Sequence, residues 1–160
     1  MSRYWVIAPI ESKPPELFDR IWQFDLTNNL ISIGWSRLGD ISRMHREELA
    51  VAVATAYPDK PSATKALFSN MLWAFYHEIS PGDLIIARRG RKALAGVGKA
   101  TQSAFFDPTR NPPSGHGSFL GVEWFESPRD KSFSSVVFPM HTVAEISADQ
   151  YRNLLGSPHD

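Results

Sequence analysis

The sequence predicts an α+β fold in which short strands curl into a small barrel and helices pack at its side. Three observations carry this. The apolar runs are short and alternate. Two helical periods are grouped together between Ser42 and Glu78 rather than interleaved with strands. Glycines stand inside the strand runs, where a sheet bends or another group comes close. The stretch Gly82–Lys99 (GDLIIARRGRKALAGVGK) is the centre of this arrangement. It reads as two strands joined by a basic turn, with Arg88, Arg89, Arg91 and Lys92 split by Gly90.

In chain order, Tyr4–Pro9 is a strand stopped by a proline, and Glu11–Pro15 is a polar loop. Pro15–Phe18 opens a short helical or irregular segment toward Trp22. Asn28-Asn29 marks a turn, and Leu30–Trp35 alternates as a half-buried strand ending in a tryptophan. Trp22–Asp25 is its candidate hairpin partner. A loop over Ser36–Ser42 leads to a helix over Arg43–Tyr57, ended by Pro58, with Ser42 placed to cap it. A second helix spans about Ala63–Glu78, with Leu67, Met71, Leu72, Phe75 and Ile79 inward. Ser80–Asp83 turns the chain back into the central hairpin. Ala100–Phe106 bends outward, and Phe106–Ser118, rich in Pro and Gly, is a surface loop. Phe119–Phe125 alternates as a strand. Phe133–Phe138 is a strand or an irregular apolar stretch, and Ser147 caps a last helix over Ala148–Leu155.

Composition narrows the function. The chain has 160 residues, 42% of them hydrophobic, enough to build a core. Seventeen Lys and Arg balance seventeen Asp and Glu, which argues against a non-specific polyanion coat but not against one basic face. Without cysteine, disulfides and thiolate chemistry are excluded. No run is long enough to span a bilayer and no signal peptide is visible, so a cytoplasmic protein is expected. The five histidines show no metal-ligand spacing, and no P-loop or nucleophile–base pair stands out. Glu123 with Lys131 is a feeble imitation of a nuclease centre. No enzymatic role, cofactor or metal is expected.

The aromatic residues are more informative. Five tryptophans in a chain of this size invite a search for a pocket. Trp35 ends a strand and is followed by polar Ser36 and Arg37, a rim position. Trp22 stands near the start of the candidate partner strand, and Trp124 sits in a strand with Phe119 and Phe125 nearby. Such rings can form a slot around a planar base, and a methyl on that base adds apolar contact worth roughly 1 kcal/mol. Arg88, Arg89, Arg91 and Lys92 form one basic cluster; Arg37, Arg43 and Arg46 form another. Meeting around Trp35, they would frame an aromatic slot with a phosphate-contacting rim.

The order Tyr4-Trp5-Val6-Ile7, Ile33-Gly34-Trp35-Ser36, two helices, Gly82–Ala87 and Ala95-Gly96-Val97-Gly98 resembles the EVE branch of the PUA superfamily. It is most similar to the EVE-like domains of McrB-type and other modification-dependent restriction systems. Gly34-Trp35-Ser36 also looks like the Gly-Val-Trp-Ser segment of the YTH relatives. The resemblance implies a PUA-like pseudobarrel of mixed strands with helices at its side, residues 1–155 forming one base-recognition domain and 156–160 a frayed tail. It implies that a flipped modified base enters an aromatic pocket, with Trp35 the first wall and Ser36 the contact beside it. Trp22 or Trp5 is then the second wall, and Asp40 accepts a hydrogen bond from the base. Arg37, Arg43, Arg88, Arg89, Arg91 and Lys92 would hold the nucleic-acid backbone. The third ring that YTH relatives take from a loop after the helices has no Trp here, and Trp73 lies in a helix. The resulting expectation is non-catalytic reading of modified DNA (methylated or hydroxymethylated cytosine, or methyladenine), with a nuclease or a GTPase/ATPase motor as partner. The alternatives are a PUA-like module acting on tRNA, rRNA or modified RNA, an enzyme using the same pocket on a small nucleobase ligand, and a structural domain with every Trp in its core.

Overall fold

A computed structural model describes residues 2–156. The element order is β1 (Tyr4–Ile7), α1 (Pro15–Asn28), β2 (Leu30–Ile33), α2 (Arg46–Ala56), α3 (Ser62–Trp73), β3 (Leu84–Arg88), β4 (Ala93–Ala100), β5 (Phe105–Phe106), β6 (Ser118–Trp124), β7 (Lys131–Ser132), β8 (Val143–Ile146) and α4 (Ala148–Leu155). The strands form one mixed sheet in the order β2-β6-β4-β3-β1-β8, with β5 beside β6 and β7 beside β4. Only β1 and β3 run parallel among the described strands. The expected α+β half-barrel with helices alongside is the fold observed. The tail expected to fray lies, from residue 157 on, outside the described residues.

The central strands are buried on both faces, so their two faces feed two cores. Trp5, Ile7, Ile85, Ala87 and Ala95 point toward helices α1 to α3, joining Phe18, Trp22, Leu49, Leu72 and Phe75. Val6, Leu84, Ile86, Leu94 and Val97 point the other way, against Phe138 and Tyr151 of α4. In β1 and β3 this is the period-2 alternation of a strand; in β4 a register shift opposite Ala87 and Arg88 puts Leu94 and Val97 on the same face. The glycines of β4 serve that packing. A Cβ on Gly96 would lie 2.7 Å from Trp22 Cζ2, and one on Gly98 would lie 2.5 Å from the carbonyl oxygen of Glu123. A ring and a neighbouring backbone therefore occupy the space a side chain would need.

Several elements differ from expectation. Trp22–Asp25 is no hairpin partner; it lies inside α1. Phe18, Ile21, Trp22 and Asp25 recur at helical spacing and form the buried face. Pro15 presets the first turn, and Asn29, at φ 54°, closes the helix in the left-handed region. Helix α2 starts after His45, whose N–H donates to Glu48 Oε1 at 2.9 Å, so the cap is three residues later than Ser42. Helix α3 continues into a wider turn over Ala74–Glu78. Phe133–Phe138 is irregular, and only Lys131–Ser132 before it pairs with β4. Strand β2 stops at Ile33, so Gly34 and Trp35 have already left the sheet.

Candidate functional site

Three strands lie between β2 and β1 in the sheet, yet the residues that follow each of them meet. Ala8, Pro9, Ile10 and Glu11 after β1, Gly34 and Trp35 after β2, His116 before β6 and Thr142 before β8 line one cleft of about 180 Å³. The curl of the sheet thus creates the cleft at the mouth of the half-barrel. The Ala8 N–H donates to the Thr142 carbonyl at 2.8 Å, tying two of its walls together.

Trp35 is half-buried, at φ 66° and ψ 39°. A large non-glycine residue in the left-handed region is strained, and such strain persists where the surrounding structure fixes it. Here the indole is braced edge-to-face by Phe68 of α3, with ring centroids 5.3 Å apart. Phe68 in turn meets Tyr57 at 5.5 Å. Ser36 opens a single helical turn over Ser36–Leu38 and lines a second recess of about 140 Å³ with Phe106, Asn111 and Gly115. His116 lines both hollows.

His116 hangs from a polar pair beneath the cleft. Its Nδ1 is 3.0 Å from Ser32 Oγ, a fully buried hydroxyl of β2. Burial pushes the imidazole from 6.5 down to about 4, so the ring is uncharged at neutral pH. One strand over, the Tyr76 hydroxyl meets Ser118 Oγ at 2.6 Å, and burial pushes its phenol up to about 12.

The structure separates the other expected site residues from the cleft. Trp5 is 2% exposed, and its indole N–H donates to Asp83 Oδ2 at 3.0 Å. Asp83 also accepts the N–H groups of Arg3 and Ser80. Trp22 is 7% exposed, edge-to-face with Trp124 at 4.7 Å and packed over Gly96. Both are core residues, because the strand and helix faces that carry them point inward, and neither lines the cleft. Asp40 accepts from the N–H and hydroxyl of Ser42, at 2.9 and 2.6 Å. Those bonds hold its carboxyl below the usual range, and it does not line the cleft. Trp73 packs tilted on His77 at 4.1 Å, with the Arg46 guanidinium over its ring.

The arginines expected to meet phosphate are mostly engaged within the protein. Arg88 is 8% exposed and donates to the carbonyls of Gly90, Met140 and His141. Arg91 Nε donates to the Phe138 carbonyl at 2.9 Å. Arg89 pairs with Asp19 at 2.7 Å and lies over the Phe18 ring. Arg37 lies over Tyr57 and reaches the Ala56 carbonyl. Arg88 and Arg91 therefore anchor the segment 138–141 that leads into Thr142 of the cleft. Arg43 and Lys92 are exposed and have no side-chain hydrogen bond among the described residues. Ile10, Glu11, His116 and Thr142 were not singled out from sequence as site residues. The signal that could have found them is position, since each stands just beyond the end of a strand.

Among the described residues, no group of three or more His, Asp or Glu is placed to hold a metal ion, and no helix is long and apolar enough to cross a membrane.

This half-barrel, with Trp35 at its mouth, is the fold of YTH domains. The chain superposes on the YTH domain of the Zygosaccharomyces rouxii MRB1 protein, solved in complex with N6-methyladenosine RNA. The TM-score is 0.51 at 14% identity, covering 99% of this chain and 87% of that one. The Mmi1 YTH domain superposes with a TM-score of 0.44 at 9% identity, over 96% of this chain and 72% of that one. Among curated proteins, none matches in sequence. The chain belongs to the family described as "Domain of unknown function (DUF8426)", which matches residues 12–147. These comparisons correct the expectation of an EVE-type, DNA-binding module of a restriction system: the fold is that of YTH domains, and the MRB1 domain was solved bound to RNA.

Proposed function

We propose that the chain is a non-catalytic reader that takes a modified base of RNA into the cleft beside Trp35. The observation that carries this reading is the strained, braced indole at the rim of a small cleft that is mostly apolar. An aromatic face held rigidly beside Ile10 and Pro9 can stack a flipped base and desolvate a methyl group on it. The shared fold with a domain solved on N6-methyladenosine RNA supports RNA as the polymer and N6-methyladenine as the first base to try. Glu11, exposed at the rim, offers a carboxylate acceptor to an exocyclic N–H, the part expected of Asp40. Residues 1–155 would act as one recognition domain.

The test is a binding panel at stated salt with matched RNA oligonucleotides, plain and carrying N6-methyladenosine. Wild type should prefer the modified strand by tenfold or more, and Trp35→Ala should abolish the preference while circular dichroism stays native. Equal affinity of the wild type for both strands would overturn the reading.

A further inference from the structure

We infer that His116 is the polar reader of the cleft: its Nε2–H donates a hydrogen bond to the bound base, so the site selects bases that present a bare ring nitrogen or carbonyl oxygen on that edge. This rests on the reading of the cleft as a base pocket, and it names the class of base the pocket takes.

The direction of the donor follows from Ser32. Its hydroxyl is fully buried, and its only side-chain partner among the described residues is His116 Nδ1, 3.0 Å away. A buried hydroxyl proton must reach an acceptor, because an unpaired buried donor keeps its full desolvation cost. If Nδ1 carried the proton, the Ser32 hydrogen would have no acceptor. Ser32 therefore donates to Nδ1, and the ring proton sits on Nε2. That nitrogen has no hydrogen-bond partner among the described residues and, unlike the carboxyl of Asp25, is not sealed from solvent. It lies 3.6 Å from where a Cβ on Gly34 would stand, and Gly34 itself lines the cleft. The missing side chain at Gly34 leaves space next to Nε2 in the cleft that Trp35 also lines.

An uncharged imidazole in this setting works as a donor and not as a cation. A neutral base that keeps its ring nitrogens bare, as N6-methyladenine does, satisfies it. A base whose facing ring nitrogen is methylated or protonated meets a donor with a blocked or positive edge, which costs the bond and the desolvation of both groups.

The experiment uses RNA oligonucleotides carrying N6-methyladenosine or its 1-deaza, 3-deaza or 7-deaza form, each replacing one ring nitrogen by C–H. Fluorescence anisotropy compares wild type, His116→Phe and His116→Gln. Wild type should lose about tenfold for one of the three analogues. His116→Phe should bind that analogue and the parent equally. His116→Gln, whose amide can stand in for Nε2–H, should recover part of the discrimination. Wild type binding all three analogues like the parent overturns the inference, as does unchanged discrimination in His116→Phe. A second measurement needs no RNA: two-bond ¹H–¹⁵N spectra of the ring should show the Nε2–H tautomer, with the bias weakened in Ser32→Ala. An Nδ1–H ring overturns the donor assignment alone. Failure of wild type to bind any of the modified strands overturns the base-pocket reading and the ligand class together.

Discussion

The indole of Trp35 is propped edge-to-face on the ring of Phe68, 5.3 Å away on helix α3. A strand end and a helix thus combine to hold one side chain in a backbone conformation it would not choose alone. Phe68→Leu keeps the apolar volume but removes the aromatic contact, worth about 0.5–1.5 kcal/mol. Binding of modified RNA should fall about two- to tenfold, with a small change in Tm. Anisotropy titration beside thermal melting separates the two effects.

The two glycines Gly98 and Gly34 should answer oppositely to alanine. At Gly98 the new methyl meets the backbone of Glu123 at 2.5 Å, so Gly98→Ala should cost about 1–3 kcal/mol in urea unfolding. At Gly34 the nearest atom is His116 Nε2 at 3.6 Å, an ordinary contact. Gly34→Ala should leave stability near wild type while narrowing the cleft and weakening RNA binding.

Acid should act through His116. Its folded ring is uncharged down to about 4, whereas the unfolded chain takes up that proton below 6.5. Stability from this group is therefore complete above pH 6.5 and declines as pH falls toward 4, by up to roughly 3 kcal/mol. His116→Phe should flatten this part of the urea-unfolding profile between pH 7 and pH 4.5.

Asp25 works in the other direction. Its carboxyl is 1% exposed, neither oxygen has a hydrogen-bond partner among the described residues, and burial raises it well above its ordinary value. The unfolded chain ionises this group from about 3.8 upward, so it penalises folding at neutral pH and not below pH 3.8. Asp25→Leu should raise Tm at pH 7 and give little gain at pH 3, as scanning calorimetry would show.

Salt should matter little. With Arg88, Arg91, Arg89 and Arg37 engaged within the protein, only Arg43 and Lys92 of the expected phosphate contacts remain unengaged among the described residues. The plot of log Kd against log salt should have a slope of about 2 or less in magnitude, the value for roughly three phosphates on a single strand.

Much of the fold was legible in the sequence. The apolar run Leu84–Ala87, the short run ending in Gly96-Val97-Gly98 and the helical periods after Ser42 reflect local patterns that the packing kept. Trp22–Asp25 was misread because four residues contain too little periodicity; only with Phe18 and Ile21 does the helical face appear. Trp35 lines the cleft two residues past the end of β2, and the approach of a strand end is a local property. Trp5 does not, because which face of a strand looks inward depends on neighbours far along the chain. The cleft's walls come from four segments that only the curl of the sheet unites, and no spacing encodes that. The basic tip was conspicuous in composition, yet its arginines find carbonyls of residues 138–141 that no local pattern pairs with them.

His116 stands as a party wall between two hollows, the one at Trp35 and the one at Ser36. Neither chamber can be reshaped without disturbing its neighbour. Substitutions on opposite sides, such as at Ile10 and Asn111, are then epistatic through His116, which lines both hollows. Variation in this family that retunes one hollow should carry a compensating change in the other.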